Sequence, residues 1–168
     1  TKNSQVPIAR TIELSPEDFS GELVISESGT AEGYIRYTMQ PGAVLLGRRG
    51  LNGAVIRVEN AKYLLFEGLV IKGNMAKHCL SLDNAEEIIV RNCEFSDFGR
   101  SDFVRDYHLG GSWTYQGNVG GWEGGIFLRT VLNVLLERNY VHSPYSASHS
   151  WFYSHPNGPE AVFLDRCR

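Results

Sequence analysis

The chain lacks the features that would place it in a membrane, on nucleic acid or in a disulfide scaffold. No apolar run approaches the roughly 18 residues that a membrane-spanning helix needs. The net charge of -3 provides none of the basic excess of general nucleic-acid or anionic-membrane binders. Three cysteines, Cys79, Cys93 and Cys167, have no metal-ligand spacing, and their odd number favours buried free thiols over a disulfide framework.

Glycine is abundant but has no fixed period, which excludes a collagen-like chain. The 168 residues are 42% hydrophobic and 21% charged, and 18 of them are glycine. This length is enough to bury the core of one domain. The composition therefore predicts one soluble, turn-rich domain over residues 1–168.

A short strand pattern recurs along the chain. Residues 56–71 read IRVENAKYLLFEGLVI, and 24 residues later residues 80–95 read LSLDNAEEIIVRNCEF. A third copy begins 46 residues beyond the second at Ile126, with Val141 matching Phe95, and a fourth begins at Val162. A period in the low twenties without a helical stripe or a leucine-rich repeat pattern is typical of a β-solenoid. The predicted fold is an all-β, right-handed parallel β-helix.

The regular repeats are preceded by a cap and interrupted twice. Residues 1–50 are predicted to form an N-terminal cap and the first strands, with a short helix beginning at Ser15-Pro16. Residues 51–168 form the repeat coils. Two long insertions, residues 96–123 and 142–159, are rich in aromatic and polar side chains and are predicted to leave the coils as loops.

The last repeat stops before it is complete. Solenoids normally shield their end strands with an atypical capping repeat, and residues 162–168 only begin a coil. We therefore expect this chain to be the N-terminal part of a longer helix, or a second chain to complete the helix. The strand at 162–164 should then have one edge that is unpaired or covered by another chain.

Alternation along the strands separates a core face from a candidate binding face. The predicted inward positions form two columns: Ile56, Leu80, Ile126, Val162 and Val58, Leu82, Leu128, Leu164. The predicted outward positions form two others: Arg57, Ser81, Phe127, Phe163 and Glu59, Asp83, Arg129, Asp165. The outward columns are either a charge-neutralised surface ladder beside stacked rings, or a groove for a polar polymer.

The phrases ENAKYLLFEGLVIKG and DNAEEIIVRNCEFSD resemble the pectin-lyase-like superfamily of right-handed β-helices, over about residues 20–168. The phrase HPNGPEAVFLDR at 155–166 is similar to segments of carbohydrate-active β-helix proteins. The resemblance implies a secreted or periplasmic lyase, hydrolase or epimerase that binds a polysaccharide along one parallel sheet. It also implies calcium in some members, held by acidic residues.

Two reactions fit the candidate residues. Elimination on a uronate needs a base for the C5 proton and a cation for the carboxylate, and Arg129 suits the role of carboxylate clamp. No lysine follows Lys77 in the sequence, so a lysine base would be Lys77 itself or would lie in a missing part of the helix. Hydrolysis needs two carboxyl groups, and Asp83 and Asp165, two coils apart, would lie about 9.6 Å apart at the backbone. Glu160 and Glu123 are reserve carboxylates at the mouths of the loops.

The insertions supply further candidates. His142, His149 and His155 lie in the second insertion, where a histidine near the groove would suit general acid–base work, although loop-surface histidines are more common. Trp113 and Trp151 would either stack on sugars or pack in small satellite cores. Phe127 and Phe163 are candidates for contact with sugar C–H surfaces.

Two classes of function therefore stay open. The first is a carbohydrate-active enzyme, a polysaccharide lyase or glycoside hydrolase, with titratable groups that converge at the foot of the two insertions. The second is a non-catalytic β-helix, an adhesin or tailspike-like binding module, with aromatic side chains along a groove and no such convergence. This chain could also be the capping fragment of a longer enzyme.

Overall fold

The computed structural model describes residues 5–99, 123–144 and 160–168, and these residues form β-strands and turns without a helix. The strands are β1 Ile8–Leu14, β2 Leu23–Ile25, β3 Tyr34–Met39, β4 Leu45–Leu46, β5 Ala54–Glu59, β6 Lys62–Glu67, β7 Val70–Ala76, β8 His78–Asp83, β9 Glu86–Arg91, β10 Glu94–Phe98, β11 Gly124–Arg129, β12 Leu132–Glu137, β13 Tyr140–Val141 and β14 Glu160–Asp165.

The strands form three parallel sheets. Sheet A has the order β1-β3-β6-β9-β12, sheet B the order β14-β11-β8-β5-β2 and sheet C the order β13-β10-β7-β4. From β2 onward the chain passes through sheets B, A and C in turn. Coil 1 is β2–β4, coil 2 is β5–β7, coil 3 is β8–β10, coil 4 is β11–β13, and β14 begins coil 5. Each coil lies on the previous one, so equal positions of successive repeats become neighbours.

The register confirms the predicted columns. Ile56 pairs with Leu80, which pairs with Ile126, and Ile126 pairs with Val162. The same step aligns the outward residues Asp83, Arg129 and Asp165. The sequence match over 24 and 46 residues therefore reflects direct strand pairing.

The core lies between the three sheets. Its fully buried members come from the inward columns and from equivalent positions in sheets A and C, such as Leu64, Phe66, Ile71, Ile88 and Phe95. At the end of the stack the prediction of buried columns is wrong, because Val162 is 38% and Leu164 is 63% exposed. Among the described strands β14 pairs only with β11, so no described coil covers these two side chains and one edge of β14 is unpaired.

Turns of one conformation join sheet B to sheet A. The residue after each of the sheet B strands β5, β8, β11 and β14 has a positive φ of 50° to 53°, at Asn60, Asn84, Thr130 and Arg166. Asparagine tolerates this left-handed region better than most residues. The turns stack because each turn amide donates to the carbonyl that ends the next strand, as from Asn84 to Arg129 at 3.0 Å. A straight corner results along the stack.

Three predicted boundaries require correction. Pro16–Asp18 form a turn and not a helix, with the Asp18 amide donating to the Ser15 carbonyl, because Gly21 and a sheet strand follow too soon for a helix. The first insertion does not begin at residue 96, because β10 continues to Phe98 and Ser96 pairs with Lys72. Residues 23–46 already form a complete coil, and the preceding β1 adds a strand to sheet A.

Close backbone approach requires glycine where the chain leaves sheet C. A Cβ added at Gly47 would lie 2.4 Å from the Gly73 carbonyl oxygen and 2.6 Å from a Val55 methyl group. We expect Gly47→Ala to lower the free energy of unfolding by roughly 1 to 3 kcal/mol, since backbone must shift. Gly53→Ala is the matched control, because its Cβ would meet nothing nearer than 3.9 Å. Equal unfolding midpoints in urea for the two variants would contradict this prediction.

Two of the cysteines are buried free thiols, as their odd number favours. Burial raises the pKa of Cys79 to about 12 and that of Cys93 to about 11, from an ordinary 9.0. Above pH 9 the unfolded chain ionises these thiols while the folded chain keeps them protonated. We expect these thiols to lower the free energy of unfolding as the pH rises from 9 toward 11, and to have no such effect below pH 9.

Denaturant unfolding at several pH values measures this effect. The Cys79→Ala/Cys93→Ala variant should lose stability less steeply above pH 9 than the parent chain. Identical slopes for the two proteins would show that the thiols do not titrate differently on unfolding.

Candidate functional site

The outer face of sheet B presents the charged row that the sequence predicts. Asp83, Arg129 and Asp165 occupy successive coils, and Arg129 Nε lies 3.4 Å from a carboxylate oxygen of Asp165. The Arg129 guanidinium also stands 5.1 Å from the centre of the Phe127 ring. Glu59 precedes Asp83 in the same column and pairs with Arg57 at 3.1 Å. Within the row Arg129 therefore pairs with Asp165, and Asp83 is their neighbour in the preceding coil.

The aromatic column beside this row is closed. Phe127 is 5% exposed and lies between the ring of Phe163, at 5.3 Å, and the ring of His78, at 4.5 Å. Ser81, in the same column, is 7% exposed. The ring faces of Phe127 are therefore occupied by neighbouring side chains. This packing matches the first alternative from the sequence, a charged ladder beside stacked rings. A role for Phe127 and Phe163 in sugar contact stays a prediction.

Other predicted residues are placed differently. Glu160 begins β14 opposite Gly124 and is exposed, two coils from His78. Trp113, His149, Trp151 and His155 lie outside the described residues, and their roles stay predictions. Both insertions join the end of a sheet C strand to the start of a sheet B strand, so they leave from the same corner of successive coils.

Sheet C carries a second group of titratable side chains. Glu94 pairs with Tyr140 in register, and the following residues of both strands continue this alignment to Ser96 and His142. His142 Nε2 lies 3.0 Å from a Glu94 carboxylate oxygen. The imidazole stacks on the Tyr140 ring with centroids 4.1 Å apart. We call Glu94, Tyr140 and His142 the sheet C cluster.

The contacts of His142 define a tautomer suited to proton transfer. Because an ionised carboxylate only accepts, the contact with Glu94 assigns the proton of a neutral His142 ring to Nε2 and leaves Nδ1 with its lone pair. Nδ1 lies 2.9 Å from the Ser143 hydroxyl, an exposed donor that a ligand can displace. Tyr140 is 62% exposed, so its phenol is accessible beside the imidazole. The cluster therefore combines a base nitrogen, an orienting carboxylate and an accessible hydroxyl donor.

A cation lies on the same face. Lys72 pairs with Ser96, and Ser96 aligns with His142, so the ammonium group and the imidazole belong to one outward column two coils apart. The neighbouring coil 1 contributes Leu46, which is 55% exposed. Successive coils of sheet C therefore present an apolar, a basic and an acid–base segment along one face.

The sequence predicts His142 as a possible acid–base residue, but Glu94 and Tyr140 were not identified as its partners although a signal existed. The match of Val141 to Phe95 aligns the flanking residues, which places Tyr140 beside Glu94 and His142 beside Ser96. Assigning residue 142 to an insertion removed His142 from that column. Lys72 lies on a strand of sheet C, outside the outward columns that the repeat predicts on sheet B.

Metal binding has no support in the described residues. No group of three or more histidine, cysteine or acidic side chains in residues 5–99, 123–144 and 160–168 could hold a metal ion. In the charged row a guanidinium separates Asp83 from Asp165, whereas calcium needs several converging oxygen ligands. The calcium that the resemblance implies therefore does not fit this row.

In the same ranges no helix is long and apolar enough to span a membrane.

One solved structure shares this fold. It is an alginate lyase from Paenibacillus sp. str. FPU-7, with a TM-score of 0.57, 15% sequence identity and coverage of 91% of this chain. The match spans 57% of the length of that lyase chain. At this identity the likeness concerns the fold alone. No protein-family model and no curated protein matches the chain.

The charged row can be tested by removing its central cation. Arg129→Ala should lower the free energy of unfolding by no more than about 1 kcal/mol, because exposed ion pairs contribute little. Phe127→Ala, in the same strand, should cost about 3 to 5 kcal/mol because its ring is buried. If the row binds an acidic polysaccharide, Arg129→Ala also abolishes turnover. Lost stability with activity per folded molecule intact would mean that the row is structural.

Proposed function

We propose that this chain is a right-handed parallel β-helix that belongs to a polysaccharide lyase acting on a uronate-containing polymer. The sheet C cluster carries this proposal, since His142, Glu94 and Tyr140 converge on an exposed face at the foot of both insertions. The shared fold with an alginate lyase supports the same class of substrate. An enzyme for such a polymer would work outside the cytoplasm, in a secreted or periplasmic location.

Elimination assigns one role to each side chain. His142 Nδ1 removes the C5 proton, and the electron pair left behind forms the C4=C5 double bond. The C4–O4 bond breaks, and the Tyr140 hydroxyl donates the proton that the leaving O4 takes up. Glu94 holds Nε2–H and stabilises the imidazolium after proton transfer.

The uronate carboxylate needs a cation during this reaction, because removal of the C5 proton increases negative charge beside it. Lys72 is the cation on the outer face of sheet C, one coil from Glu94. A lysine ammonium binds a carboxylate as a point charge through any of its three donors. Lys72 therefore replaces Lys77 as our candidate among the lysines, in the role of neutralising cation and not of base.

The row on sheet B is the alternative catalytic site. It would bind the same class of substrate, and its two carboxylates would suit hydrolysis. Asp83 and Asp165 flank Arg129 at the spacing of two coils, roughly 9.6 Å at the backbone. That separation falls near the range for inverting hydrolysis. We place this row second because its aromatic neighbour Phe127 is buried and its arginine already pairs with Asp165.

Substitution of the sheet C cluster tests the proposal. His142→Ala should lower turnover of a polyuronate by about 10²- to 10⁴-fold, the usual contribution of a general base. Glu94→Gln should lower it less, since an amide still hydrogen-bonds the imidazole but carries no charge. The measurement is the ultraviolet absorbance of the unsaturated product, with reducing ends assayed in parallel.

Arg48→Ala is the matched control, because Arg48 and Glu22 form an exposed ion pair in coil 1 at 3.0 Å. This variant should retain full activity. Reducing ends without ultraviolet absorbance would identify hydrolysis and favour the row on sheet B. Binding of the polymer without cleavage by the parent chain would favour the non-catalytic module.

A further inference from the structure

A cleft of about 780 Å³ follows the corner between sheets B and A, away from the sheet C cluster. Each of coils 2 to 5 contributes to its walls. The walls include Asn60, Lys62, Asn84, Glu86, Leu132 and Arg166. Sheet C contributes none of them, so among the described residues the cleft is separate from the proposed catalytic face.

The floor of the cleft repeats one polar position per coil. Asn60, Asn84, Thr130 and Arg166 are the left-handed turn residues, which stack at intervals of about 4.8 Å. Asn84 Nδ2 donates to Asn60 Oδ1 at 2.7 Å, which fixes the direction of both amides. Leu132 on the adjacent strand is 41% exposed and adds an apolar wall. Hydroxyl-bearing rings with apolar faces suit such a surface.

The charge of the cleft is unequal along its length. At the coil 2 and coil 3 end, Lys62 pairs with Glu86 at 2.5 Å. At the coil 5 end, Asp165 is shared between Arg129 at 3.4 Å and Arg166 at 3.3 Å. Asp83 lies beside Arg129 in the neighbouring coil and adds a second carboxylate, whereas Arg168 adds a third cation, so the guanidinium groups outnumber these two carboxylates by one. A ligand carboxylate near Arg166 would balance this local excess.

We propose that this cleft is a non-catalytic binding site for an acidic oligosaccharide segment. A carboxylate of the ligand lies at the Arg166 end, and its hydroxyl groups follow the amides of Asn84 and Asn60. Identifying this ligand as the polymer that the enzyme cleaves rests on the proposed function. The cleft itself would then hold a polymer segment while the sheet C cluster acts on another.

A local spectroscopic signal tests the site directly. Isotope-labelled protein carrying His142→Ala, which prevents turnover, is titrated with an alginate tetrasaccharide. We expect the side-chain amide resonances of Asn60 and Asn84 to shift and saturate. In the Arg166→Glu variant the affinity read from these resonances should fall about tenfold or more, as expected for loss of a charged hydrogen bond.

Arg138→Glu is the matched control. Arg138 also occupies a left-handed turn position, its side chain is 63% exposed compared with 71% for Arg166, and it pairs with the preceding acidic residue. It lies at the corner between sheets A and C, so this variant should keep the Asn84 shift. Equal weakening in both variants would show only a general charge effect and overturn the site.

Two further probes define the ligand. A neutral tetrasaccharide should shift Asn84 weakly, and citrate should not reproduce the saturating shift of Asn60. Citrate acting as well as the oligosaccharide would replace this site with a simple anion site. If the Asn84 side-chain amide resonance of the His142→Ala protein does not shift during the titration, the cleft is refuted as a binding site. If that resonance shifts but the parent chain does not cleave the polymer, only the proposed enzyme is refuted.

Discussion

The structure depends on parallel pairing between equal positions of successive coils. Each strand of sheet B donates and accepts in register with the next, as Leu80 does with Ile56 and Ile126. Parallel pairing makes the side chain at one repeat position contact the same position one coil away. The surroundings of a side chain in this fold are therefore set by the residues at the same position of the adjacent coils. Both the core and the surface side chains form rows along the stack.

The rows differ most in whether their outer face is open. Phe127 on sheet B is covered by rings of adjacent coils, whereas Tyr140 on sheet C remains exposed beside His142. Similar residue types thus have different possible roles. A buried stack contributes stability, while an exposed ring beside an imidazole and a carboxylate can take part in chemistry. Among the described residues, this contrast is the reason that the proposal places chemistry on sheet C and not on the aromatic column of sheet B.

The candidate site was only partly predictable. The row of Asp83, Arg129 and Asp165 followed from repeat alignment and alternation, and the register confirms it. The grouping of His142 with Glu94 and Tyr140 was missed because the second insertion was set to begin at residue 142, directly after β13 ends at Val141. Strand pairing continues there through backbone hydrogen bonds, which do not depend on a recognisable side-chain pattern.

The sequence by itself determined the repeat, the all-β class and the identity of the columns, because a two-residue alternation and a fixed period are local properties. Only the tertiary structure decided which columns are accessible. Burial of an outward side chain such as Phe127 depends on what the neighbouring coils place over it. The exposure of Leu164, an inward residue, likewise depends on the absence of a described coil above it. Pairing of His142 with Glu94, 48 residues apart, required the coils to be stacked.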